Sequence, residues 1–169
     1  MLRTGSAVLI ALTLPLQSCS SQDIPTSPTT LPSDAVAVAF DRFETIGSAL
    51  FGGPDEAMRS VVRDEQAWQA FWHELTNAVS PAPEPPTVDF TRDMVIVAGM
   101  GRRPTGGYLI SVEGVYTSDG ALYVDVLERS PGVGCMSTQA ITSPVTAVRV
   151  PAHPGAVHFL KREESASCG

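Results

Sequence analysis

The sequence has no apolar run long enough to span a bilayer, few histidines, few cysteines and none of the short motifs that mark common enzymes. It lacks a Gly-x-Ser-x-Gly elbow, a His-Glu-x-x-His pair, a phosphate loop and a dinucleotide fingerprint, which counts against ordinary hydrolases and nucleotide enzymes. Its three histidines are His73, His153 and His158. His153 and His158 flank Pro154-Gly155 and supply two ligands, where tetrahedral or octahedral sites need more converging donors, so neither a metal nor another cofactor is expected. Cationic groups are also scarce: 11 Lys and Arg against 18 Asp and Glu give a net charge of −7, which disfavours nucleic acid and anionic membrane surfaces as partners. Asp89, Asp93, Glu113, Asp125 and Glu128 could furnish a carboxylate pair, but no spacing unites two of them. No catalytic group and no small-molecule substrate are expected.

At 169 residues the chain is long enough for one ordinary domain with accessory segments. Arg3 precedes the apolar run from Ala7 to Leu14, the pattern of a secretory leader. The run ends in Leu16-Gln17-Ser18-Cys19, which resembles a bacterial lipobox, with an aliphatic residue at −3, a small one at −1 and a cysteine to be acylated. Residues 1–18 are thus expected to be a lipoprotein signal peptide and Cys19 the lipidated N-terminus. The protein would be anchored at the cell envelope, on the outer membrane if the host has two. The alternative is an ordinary cleaved leader with an incidental cysteine. Residues 19–35, rich in Ser, Thr and Pro, read as an extended tether. Residues 36–169 then form one globular domain.

Cys135 and Cys168 remain as an even pair in an oxidising compartment and are expected to be bridged. The bridge would close a loop of about 33 residues, an entropic constraint on the unfolded chain of roughly 3–4 kcal/mol. Two free thiols are the alternative.

Along the domain, Val36–Phe40 and Phe43–Phe51 carry apolar residues at strand-like spacing and end in Gly52-Gly53-Pro54, an early strand with a turn after it. Ser60–Arg63 reads as a short extended lead-in to a helix capped by Asp64. In that helix Trp68, Phe71, Trp72 and Leu75 recur at i, i+3, i+4 and i+7, an aromatic face suited to core packing rather than to stacking a sugar or base. Pro81–Pro86 is a stiff connector. Met94–Met100 is apolar throughout and β-branched at its centre, the mark of a strand covered on both faces, one of them by the aromatic helix. Residues 107–129 read as a β-hairpin, with a phase shift at Gly114 and a turn at Asp119-Gly120. Val145–Val150 and Ala156–Lys161 are two further strands. The expected class is α+β, a mostly antiparallel β-sheet or sandwich with one amphipathic aromatic helix packed on it.

Between the apolar strand and the hairpin lies Gly101-Arg102-Arg103-Pro104-Thr105-Gly106-Gly107-Tyr108. Proline fixes φ, the glycines permit positive φ and close approach, the arginines offer fork-shaped donors and the tyrosine a flat amphipathic anchor. Residues 102–108 are therefore the candidate binding residues, with the loop 131–135 nearby. The alternative is a connection whose glycines satisfy a tight turn and whose arginines keep it soluble.

From about Val61 to Leu160 the chain resembles the C-terminal domain of the PrcB family, named for a subunit of a bacterial surface protease complex. The resemblance is carried by Arg63-Asp64-Glu65 with Trp68 and Trp72, by Val88-Asp89-Phe90 and by the whole 101–108 turn. It continues through Pro131, Gly132, Gln139, Thr142-Ser143-Pro144 and Val150-Pro151. It implies a non-catalytic, exported or lipid-anchored accessory protein that binds an envelope or secreted protein, and the family name points to a protease. A second, local likeness joins the Pro-Thr-Gly-Gly-Tyr turn to the loop of chagasin-like cysteine-peptidase inhibitors, and implies a peptidase inhibitor instead.

Overall fold

A computed structural model describes residues 30–43, 46 and 53–168. The expected signal peptide, Cys19 and most of the expected tether lie outside those residues, as does most of the apolar segment 44–52.

Among the described residues, eight strands and one helix follow in order: β1 (Val36–Ala37), β2 (Asp41–Arg42), β3 (Ala57–Val62), α1 (Glu65–Thr76), β4 (Asp93–Met100), β5 (Leu109–Ser118), β6 (Ala121–Ser130), β7 (Val145–Pro151) and β8 (Val157–Ser165). They form two four-stranded sheets, ordered β1-β5-β6-β8 and β2-β7-β4-β3. Every pairing is antiparallel except β6 with β8. The fold is α+β, a sandwich with a helix on its outer face.

Strand periodicity builds two cores from one central strand. Met94, Ile96, Ala98 and Met100 of β4 face the other sheet and meet Ile110, Val112, Val115, Leu122, Val124 and Val126. Val95 and Val97 point the other way, against Trp68, Trp72 and Leu75 of α1. Strand β4 is therefore covered on both faces, one of them by the aromatic helix. Asp64 caps that helix by accepting from the Ala67 amide at 2.8 Å. Both indole N–H groups find carbonyls in the proline connector, Trp68 on Pro86 at 2.9 Å and Trp72 on Pro83 at 2.7 Å. Trp68 is wholly buried, so the aromatic stripe is core, as its spacing predicts.

The hairpin also forms, with its register shift between Val112 and Gly114. Asp119 and Gly120 both take positive φ, the geometry that favours Asp-Gly in a two-residue hairpin turn.

Three expectations need correction. The lead-in at Ser60–Arg63 is part of a full strand, β3, paired with β4 from Ala57 to Val62; Arg59 and Ser60 sit mid-strand at the sheet edge and hide the alternation. The early strand is two short ones, because the chain leaves one sheet at β1 and enters the other at β2. The last strand runs to Ser165. Its charged end stays in register with β6, where Arg162 pairs with Asp125 and Arg129 with Glu164.

Candidate interaction site

The turn 101–108 leaves the sandwich at the C-terminal end of β4 and is fastened on both sides. Gly101 takes φ +73°, and a Cβ there would lie 2.7 Å from the Ala57 amide nitrogen, so only glycine makes this exit from the strand comfortably. Arg103 pairs with Thr142 like one rung of a ladder, its amide donating to the Thr142 carbonyl at 2.7 Å and its carbonyl accepting at 3.0 Å. The Thr142 hydroxyl donates to the Thr105 carbonyl at 2.8 Å, and the Gly106 amide to the Thr138 carbonyl at 2.9 Å. A Cβ on the buried Gly106 would lie 2.3 Å from Thr138 Oγ1. Much of the glycine content thus serves close packing between two loops.

The partner loop, residues 131–144, is held from its other side. Cys135 and Cys168 form the expected disulfide, with Cα atoms 5.2 Å apart. The Ala166 amide donates to the Ser130 carbonyl at 2.8 Å, which lays the C-terminal tail beside the loop. Sequence reasoning put the turn and residues 131–135 near each other, and the structure joins them into one surface. On it Val133 and Met136 are fully exposed and Ile141 is 65% exposed, with Leu109 of β5 also on the outside.

The two arginines have different surroundings. Arg102 is exposed, and its Nε and Nη2 both donate to Asp55 Oδ1, at 3.1 and 2.7 Å, while its amide donates to the Asp55 carbonyl at 2.9 Å. Arg103 is half-buried, with its guanidinium over the Tyr108 ring at 5.6 Å from the centroid. Its Nε is enclosed and has no hydrogen-bond acceptor among the described residues. Arg103 and Tyr108 line a cavity of about 330 Å³ with Met100, Glu128, Glu163 and Glu164. Of the remaining predicted residues, Pro104 and Gly107 are exposed and Thr105 is half-buried.

The carboxylates of that cavity were not singled out as binding residues by sequence reasoning. Glu128 is 8% exposed and forms an ion pair with Arg59 of β3 across the open side of the sandwich. Glu163 accepts from Lys161 at 2.7 Å; this hydrogen bond and the lysine charge hold its carboxyl below the usual range, with a smaller contribution from Arg103. Glu164 is 3.3 Å from Arg129 and 3.7 Å from Arg162. A sequence signal did exist for Glu128, which stands in phase with inward-facing Val124 and Val126.

The other candidate groups are dispersed. Asp89 accepts from the hydroxyl and amide of Thr91, which lower its pKa in that order. Asp125 pairs with Arg162, and Asp93 lies 4.0 Å from Arg149. Glu113 accepts from the Ser111 hydroxyl. His153 Nε2 is 2.9 Å from the Gly120 carbonyl, and His158 packs against Tyr123. Among the described residues no three His, Cys, Asp or Glu side chains converge as a metal site.

No curated protein and no solved structure matches the chain. A family match covers residues 94–151, narrower than the 61–160 over which the motifs resemble the family, and it takes in β4, the turn, the hairpin, the 131–144 loop and β7. That match is to PrcB C-terminal, the same family that the ordered motifs resemble.

Proposed function

We propose that this chain is a non-catalytic, lipid-anchored envelope protein whose PrcB-like domain captures another envelope or secreted protein, as the accessory subunit of a protease complex. The contact surface is the turn 101–108 together with the loop 131–144. One observation carries this reading: Val133, Met136 and Ile141 stand exposed on a loop braced by a disulfide and by the turn. Apolar side chains displayed on a rigid base, with arginine and tyrosine beside them, have the composition of a protein-binding patch. The match of residues 94–151 to PrcB C-terminal supports the same reading, since that stretch contains the whole surface.

Capture from an envelope extract of the host tests it. The triple variant Val133→Asp, Met136→Asp, Ile141→Asp is expected to lose at least about tenfold in partner recovered, with an unchanged melting temperature because the three side chains lie outside both cores. Undiminished capture would overturn the assigned surface. For the anchor, Cys19→Ala is expected to move the protein from the membrane to the soluble fraction, and persistence at the membrane would refute lipidation there.

A further inference from the structure

We propose that the cavity beside the turn is a carboxylate-receiving pocket, with Arg103 as its fork and Tyr108 as its wall, that takes an acidic side chain or a chain-terminal carboxylate from the captured protein. This deepens the reading above and rests on it.

Arg102 and Arg103 are neighbours in sequence but not in circumstance. Arg102 already places two donors on Asp55. Arg103 lies farther in, with its guanidinium carbon over the Tyr108 ring, and its enclosed Nε lacks an acceptor among the described residues. An enclosed guanidinium N–H without a partner is unfavourable, and a planar guanidinium is pre-organised to grip a carboxylate through two parallel bonds. The cation–π contact with Tyr108, at 5.6 Å from the ring centroid, uses none of the fork's donors.

The cavity's own carboxylates leave Arg103 available. Glu128 is held by Arg59, Glu163 by Lys161, and Glu164 by Arg129 and Arg162. Among the described residues, Arg103 is thus the cavity-lining cation with no carboxylate within ion-pair distance. A cationic ligand would meet carboxylates that each already have a cation beside them, and a guanidinium of its own sign. An anionic one would meet a guanidinium that acts on Glu163 only from beyond ion-pair distance and keeps its donors for a closer carboxylate.

Size and position agree with this assignment. About 330 Å³ lies at the small end for ligand cavities, room for a side chain or a chain end rather than a large metabolite. Met100 and Tyr108 give it apolar walls on which methylene groups can rest. Arg103 is the rung opposite Thr142, which directly follows the exposed Ile141, so a segment lying across the 131–144 loop passes the pocket.

The full chain, solubilised in detergent, is tested with three pools of random acetylated hexapeptides. One pool has free C-terminal carboxylates, one has amidated ends and a single Asp or Glu, and one has amidated ends with Asn or Gln in their place. At least a tenfold preference for one acidic pool is expected, and which pool is retained tells a chain terminus from a side chain. Arg103→Gln should abolish the preference, and Arg149→Gln, at a β7 cation paired with Asp41 outside the proposed surface, should keep it within twofold. No preference, or a preference that survives Arg103→Gln, overturns the pocket. If Arg103→Gln melts early, Arg103→Lys replaces it, and wild-type preference in that variant overturns the fork. Envelope capture that depends on Val133 and Met136 while no pool is preferred sinks the pocket alone; capture indifferent to both sinks the reading beneath it.

Discussion

The two ends of β4 neighbour regions built on different rules. Along its middle, Val95 and Val97 are sealed by Trp68, Trp72 and Leu75, and even the indole N–H groups are closed off by the proline connector. Beyond Met100 the backbone is just as well bonded, through Arg103, Thr105 and Gly106 to residues 138 and 142, yet Val133, Met136 and Ile141 are left facing out. The helix-covered side uses its large residues for stability. The loop end uses backbone bonds and a disulfide for rigidity, so its exposed side chains are not needed to hold it together.

The largest effect that this contrast predicts is at Trp68. Its ring is fully buried and lies 5.3 Å from Phe43 and 5.8 Å from both Phe71 and Trp72. Trp68→Ala opens a cavity and leaves the Pro86 carbonyl without its donor, so a loss of about 3–5 kcal/mol is expected in urea unfolding. A loss below about 1 kcal/mol would mean that the helix is not the main cover of that face. Next comes the bridge. Replacing Cys135 and Cys168 together with serine releases a 33-residue loop, and about 3–4 kcal/mol of stability should go with it. Here the contrast can be sharpened: the loss should fall on the loop end first, seen as faster amide exchange over residues 131–144 while α1 stays protected. Uniform loss of protection would show that the two regions unfold as one.

What the sequence made legible follows the same division. Helix α1 and strand β4 were readable because their signals are local: apolar residues at helical spacing behind an N-cap, and an unbroken β-branched run. The hairpin was readable from its alternation and from Asp119-Gly120. The partition into two sheets was not, since β8 lies parallel to β6 and is reached only after a strand in the other sheet. No local pattern encodes such a pairing. The turn was legible as a unit of rigid, cationic chemistry. How its arginines divide the work was not, because Arg102 is claimed by Asp55, 47 residues earlier, and Arg103 is positioned by Thr142 and Tyr108.

The smallest predicted effect tests that division from the stability side. Arg102 and Asp55 are largely exposed, at 58% and 70% of their side-chain surface, so their ion pair forms in high dielectric and must hold two mobile side chains in place. A double-mutant cycle between Arg102→Ala and Asp55→Ala should return a coupling of about 0–1 kcal/mol that shrinks further in 1 M salt, where screening acts within about 3 Å. The Arg102 amide still donates to the Asp55 carbonyl in either variant, so the path of the chain at this corner survives the loss of both side chains. A coupling above about 2 kcal/mol would make Arg102 a structural strut of the turn, and the turn would then depend on its side chains for rigidity as the helix-covered side does. A small coupling leaves the corner to backbone bonds and glycine packing, with the Arg102 side chain adding little to its stability.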